Sequence, residues 1–272
     1  RRDRKHGYVL EVDAYSDELV DAVPIKAMGR FEHEACAIHE PTGIVYMTED
    51  RQYGLFYRYI PDVPGKLIEG GLLQALIIKD RPSAQTHNWS AMPDVALNNP
   101  YETSWGDVGD PDPADNNLRL TGAKLGAATF ARGEGLCDAG DRFAFTCTEG
   151  GHAHVGQVFT YKPSPFEGTT GEQDEPVDLM LIAEARRDSL LQNADNLVMA
   201  PWGDLIVCED TAGHCGLVGI RPDGTQYALA DNTYSNSELA GACFSPDGKI
   251  LFVNIQHPGM TLAITGPWPT PG

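Results

Sequence analysis

The sequence predicts an all-β fold and, within that class, a β-propeller. Three observations point there. Short apolar runs, about four to eight residues each, recur along the chain with turn residues between them. Long amphipathic helical patterns are scarce. One strand–turn–strand pattern also returns along the chain, the sequence signature of propeller blades.

The elements follow in chain order. "HGYVLEVDA", "GIVYMTED", "GLFYRYIP" and "LQALIIKD" read as strands, then "RFAFTCTE", "GQVFTYKP", "DLIVCED", "GLVGIRPDG" and "KILFVNIQH". The turns "EPTG", "APWGD", "RPDG" and "SPDG" punctuate them, and the two PDG turns need no chemistry. Residues 85–121 and 163–178 read as inserted loops in a single domain spanning 1–272. The first contains the Asp-rich "TSWGDVGDPDPADNNLRL". It lacks the regular ligand spacing of a calcium loop, so it reads as a solvated loop.

The repeats align as "HEACAIHEPTGIVYMTED", "GEGLCDAGDRFAFTCTEGG", "ADNLVMAPWGDLIVCED" and "SELAGACFSPDGKILFVNIQHPG". Each opens on an acidic residue, Glu34, Glu134, Asp195 or Glu238. Each closes after its second strand on Glu49, Glu149, Glu209 or Asn254. Inner strands of a propeller meet around a central channel. The recurring acids are therefore expected to form one ring rather than isolated carboxylates.

The chain has 272 residues and a net charge of -19, from 39 acidic against 20 basic residues. Such a surface repels nucleic acid and anionic membranes. No run approaches the roughly 20 apolar residues of a membrane span. The surplus carboxylates are either a solvated surface or cation ligands, and hard cations such as calcium take oxygen donors. None of the six cysteines forms a CxxC pair, and Cys147 and Cys208 lie in apolar runs, as buried free thiols do. The chain begins "RRDRKHGYVLEVD", without Met, and reads as a fragment or processed form. No G-x-S-x-G is present, which disfavours serine nucleophile chemistry.

Four segments, "MGRFEHEA", "ATFARGEGL", "NADNLVMAPWGDLIVCED" and "SPDGKILFVNIQHPG", resemble the PhoX-type alkaline phosphatases, in the family's order. The likeness runs from about "HGYVLEVD" to "AITGPW". It implies a six-bladed propeller with a calcium and iron cluster in its central cavity. It also implies release of phosphate from small phosphate monoesters, and a parent protein exported to the periplasm or secreted. A monomer is expected. Family members carry further metal ligands upstream of the "HGYVLEVD" region: a Cys in a Gly-rich segment, and paired glutamates. The resemblance therefore implies a propeller lacking part of an N-terminal blade and part of the ligand set.

The site residues expected as metal ligands are Glu34, Glu134, Asp195, Asn196, Glu209 and Glu238. Arg132 and Glu134, one residue apart on an extended segment, are expected to face the same way. Glu134 would then hold metal while Arg132 grips phosphate as a planar fork. The plainer alternative is a surface ion pair worth about 0–1 kcal/mol. Glu32 and His33 are weaker candidates, and His33 and His257 read more simply as structural. The expected function is metal-assisted phosphomonoester hydrolysis, in which Arg132 stabilises transition-state charge. Two rivals fit the same repeats: a calcium-dependent propeller lactonase or esterase, and a non-catalytic calcium-binding propeller.

Overall fold

The computed structural model describes residues 5–175 and 177–269. The apolar runs become antiparallel meanders. Blade 1 is β1 (His33–His39), β2 (Ile44–Glu49), β3 (Phe56–Pro61) and β4 (Gly71–Ile78). Then come β5 (Pro100–Asp107) and the short helix α1 (Leu118–Lys124). Blade 2 is β6 (Gly133–Asp138), β7 (Phe143–Cys147), β8 (Gln157–Lys162) and β9 (Asp178–Glu184). Blade 3 is β10 (Ala194–Met199), β11 (Leu205–Glu209), β12 (Gly216–Ile220) and β13 (Gln226–Asp231). Blade 4 is β14 (Leu239–Phe244), β15 (Ile250–Ile255) and β16 (Met260–Thr265).

The first strands of successive blades lie side by side: β1 on β6, β6 on β10, and β10 on β14. This is the radial arrangement the repeats predict. Every residue of β2, β7, β11 and β12 is buried, because both faces of these strands meet neighbouring layers. Aromatic rings fill the space between blades 1 and 2. Phe56 stacks on Phe145 with centroids 4.5 Å apart, and Tyr46 tilts against Phe143 at 4.7 Å. All six cysteines are free thiols, and Cys147, Cys208 and Cys215 are buried.

The segment read as an insert over 85–121 holds a strand. Residues 103–107 of β5 pair with β4, and residues 100–102 pair with β9. The sequence hides this strand because "PYETSWGD" is mostly polar. A strand held by backbone ladders on both sides needs few apolar side chains, and Tyr101, Thr103 and Trp105 supply the inward face. β5 thereby joins blades 1 and 2 into one nine-stranded sheet. The Asp-rich stretch after it combines local turns with ties to the N-terminal segment. Asp107 accepts from the Gly109 N–H, Asp110 from the Asp112 N–H, and Asp112 binds Tyr8 and Lys26.

Residues 163–175 are packed rather than loose. Buried Glu167 accepts from Tyr46 Oη (2.8 Å), Tyr161 Oη (2.9 Å) and Arg58 Nη1 (2.6 Å). Arg58 also grips Glu172 with both nitrogens of its fork and lies over Trp105. A buried ion pair is tolerated when its remaining lone pairs and protons are met in this way. "HGYVLEVDA" is not a strand. It makes one isolated bridge, Leu10 to Pro24, since no neighbouring strand offers it a ladder.

Candidate metal centre

Each blade carries a β-bulge at the same place. The ladders pair His33 with Glu49, Gly133 with Cys147, Ala194 with Glu209, and Ala240 with Asn254, and the register slips directly after each pair. The first residue inside the slip is Glu34, Glu134, Asp195 and, in blade 4, Gly241. A bulge re-aims the side chain it carries. Three blades therefore present a carboxylate at the mouth of the ring. Glu238 does not hold the equivalent position: it lies ahead of β14, and Gly241 stands where the other blades have an acid. Glu149 is likewise displaced, since Cys147 is the residue opposite Gly133.

The carboxylates gather in two groups, Glu34–Asp50–Glu134 and Asp195–Asp210–Glu238. Within each, one oxygen per residue lies within 4.8 Å of the others. The groups share a field. Burial, then the charges of Asp195 and Asp50, push Glu134 up to about 9. Burial, Asp210 and Glu34 push Asp195 up to about 7. Burial and Asp210 push Glu238 up to about 7. Burial raises Glu34 as well, with Asp50 adding to it. A set of oxygen donors that raise one another's pKa is the donor chemistry that suits a hard cation.

Arg132 is the counter-charge. Its Nε and Nη2 donate to the two oxygens of Asp50 at 2.8 and 3.1 Å, and Nη2 lies 2.8 Å from Glu134 Oε1. The Asp50 hydrogen bonds hold the guanidinium firmly protonated. The fork that sequence reasoning assigns to phosphate is thus turned to Asp50. Nor is the segment extended at Arg132, where φ is +56°. The Arg132–Glu134 pair meets through this left-handed residue and the bulge after it, not through strand alternation. Glycines flank Glu134 because the neighbouring strands crowd it: a Cβ on Gly135 would lie 2.8 Å from the Asn196 Cα.

Two expected ligands serve the scaffold. Glu209 accepts the N–H of Gln192 with Oε1 (2.8 Å) and of Gly216 with Oε2 (3.0 Å), closing the β11–β12 turn. Glu49 does the same for β2–β3, with Oε2 accepting from Leu55 N–H and Tyr57 Oη. Asn196 Oδ1 accepts the Ala242 N–H at 2.8 Å, tying blade 3 to blade 4. Among the weaker candidates, Glu32 pairs with Arg51 at 2.8 Å. His33 stacks on Phe31 and hydrogen-bonds to the Gly29 carbonyl, and burial lowers its pKa to about 4. His257 precedes a proline in a cis peptide, outside both carboxylate groups.

Asp50 and Asp210 join the two carboxylate groups, and neither is among the ligands expected from the sequence. The signal is present in "TED" and "CED": adjacent residues of a strand face opposite ways. Glu49 and Glu209 turn back into the blade, so Asp50 and Asp210 turn to the centre. Asp50 and Arg132 also line a cleft of about 730 Å³ that opens beside the first group.

The family model for alkaline phosphatase PhoX matches residues 1–259. This chain belongs to the PhoX alkaline phosphatase family. No curated protein sequence gives a significant match. Among solved structures, Pseudomonas fluorescens PhoX in complex with vanadate, a transition state analogue, superposes with a TM-score of 0.70 at 18% identity. The alignment covers 93% of this chain and 53% of that one, so the chain spans about half the length of its PhoX relative. At this identity the likeness carries the fold. A streptogramin B lyase (88% of this chain, 70% of that one) and the virginiamycin B lyase of Staphylococcus aureus (89% and 72%) match at TM-score 0.36 and 10% identity. Likenesses this remote carry no argument.

Proposed function

We propose that this PhoX-family chain is the cation-binding and phosphate-binding part of an exported phosphomonoesterase acting on small phosphate monoesters. The observation that carries the reading is the Glu34–Asp50–Glu134 triad, with Arg132 at its edge beside an open cleft, and a second triad within reach of its field. Calcium fits the all-oxygen donor set. Iron enters from the family resemblance alone. Glu34, Asp50 and Glu134 would hold one cation, and Asp195, Asp210 and Glu238 another. Bound there, cations supply charge neutralisation and Lewis acidity toward a phosphoryl group.

The protein's own side chains do the rest. Arg132 orients Asp50 and Glu134 and leaves Nη1 without a partner among the described residues, for a phosphate oxygen to use. Glu209 and Asn196 lock the strands that carry Asp195 and Asp210. A cation-binding propeller without turnover is the second reading. The observation favouring it is that the Arg132 fork is spent on Asp50.

The test is elemental analysis of the purified protein with a p-nitrophenyl phosphate assay, before and after chelation and with vanadate added. Bound calcium, chelator-sensitive hydrolysis and vanadate inhibition support the phosphatase. Bound calcium with no hydrolysis supports the binding-only propeller. A folded protein that takes up no cation sinks both.

A further inference from the structure

The cleft beside the first triad is larger than phosphate needs. Its volume of about 730 Å³ suits a small organic ligand. Three arginines, Arg51, Arg119 and Arg132, line it together with the carboxylates of Glu32, Asp50 and Glu149, the last of which accepts from Gln52 Nε2 at 3.0 Å. Two are already neutralised, Arg51 by Glu32 and Arg132 by Asp50. Arg119 is different. It projects from α1, half-buried, and its Nη1 donates to the Asn116 carbonyl at 3.1 Å. Its field reaches the buried Glu49. Among the described residues it makes no ion pair. A guanidinium in a cleft, short of a carboxylate, is a recognition group for an anion.

A second observation marks the same cleft. Two bulky residues lining it, Tyr53 and Arg132, hold left-handed backbone at φ +58° and +56°. Such residues rarely adopt that conformation, and where they do the surroundings hold them there. Tyr53 is braced edge-on by His87 and Trp89, with ring centroids 5.5 Å away in each case. Its half-exposed ring forms one wall, and Leu120 on α1 lines the cleft as well.

We infer that this cleft holds the alcohol part of the ester and that Arg119 binds a second negative group on it. The inference rests on the phosphomonoesterase reading for which end of the ligand meets the triad. The preferred substrate class is then a phosphate monoester carrying another anion, a carboxylate or second phosphate, rather than a neutral alkyl phosphate. Arg119 is a specificity residue, remote from the phosphoryl group.

Binding can be read without turnover, on the full chain with calcium present, using non-hydrolysable probes. 4-Phosphonobutyrate and propylphosphonate share a phosphonate and an alkyl chain, and only the first adds a carboxylate. The wild type should bind 4-phosphonobutyrate about 10-fold tighter, the worth of one charge-assisted hydrogen bond. Arg119→Gln should erase the difference, and Arg119→Lys should keep part of it. Equal affinity in the wild type, a preference that survives Arg119→Gln in folded protein, or no binding of either probe would each overturn the inference. Kinetics then separate it from the reading beneath it. Comparing 3-phosphoglycerate with glycerol 3-phosphate, the kcat/KM ratio should drop about 10-fold in Arg119→Gln. If neither ester is hydrolysed while the phosphonate preference holds, the phosphatase reading falls and the anion subsite stands.

Discussion

Glu134 shows how the site is poised. It is 4% exposed, sits against other carboxylates, and is pushed up to about 9 in the folded chain from an ordinary value of 4.5. The cation-free protein therefore binds more protons folded than unfolded across that interval. Its stability is greatest at the acid end and is withdrawn as pH rises toward 9. In chelator, the melting temperature should fall steadily between pH 5 and pH 9. Glu134→Gln removes the charge while keeping the shape, so it should flatten that fall and raise the melting temperature at pH 8. In excess calcium the order should reverse, because the variant has lost a ligand and the stabilisation that binding supplies. A variant that melts lower than the wild type by the same amount in both conditions would make Glu134 a scaffold residue. The acid at this position is legible in the sequence through its recurrence in blades 1 to 3. What lies beside it is less so. Asp50 escapes notice because Glu49 precedes it at a strand end, and only the backbone shows which of the two turns inward.

The bulge is the element on which the site is built, and threonines hold it in register. The Thr48 hydroxyl accepts from the Ala35 N–H and donates to the Glu134 carbonyl, joining the bulges of blades 1 and 2. Thr146 holds the corresponding place in blade 2 and donates to the Asp195 carbonyl of blade 3. Thr48 is 1% exposed, so Thr48→Val leaves the part-buried Ala35 N–H and the buried Glu134 carbonyl without this partner. It should destabilise the chain by about 1–3 kcal/mol in urea unfolding and weaken calcium binding, while Thr48→Ser should do neither. Wild-type calcium affinity in Thr48→Val would show that the bulges keep their aim without the clamp. This layer is hidden from sequence reasoning because a bulge leaves no composition of its own. Repeat alignment matched Glu238 to Glu34 by spacing, yet Gly241 takes that position.

At the scale of the molecule, the propeller is legible because buried strands between turns have few other ways to pack. The ties between blades are not, and β5 is the clearest case. It hydrogen-bonds β4 on one side and β9 on the other, so blades 1 and 2 cannot shear or hinge apart without breaking a ladder. The first triad spans these two blades, with Glu34 and Asp50 from one and Glu134 from the other. The second triad spans blades 3 and 4, whose sheets are separate and meet through side-chain packing and the Asn196–Ala242 bond. One cage is stiff and the other compliant. A stiff oxygen cage discriminates among ions by radius, whereas a compliant one can contract around a smaller cation. Magnesium should therefore displace calcium from the second triad well before the first. Competition titrations on Glu134→Gln and Asp195→Asn, each leaving one triad intact, would read that order directly, and equal exchange at the two would mean that β5 confers no such selectivity.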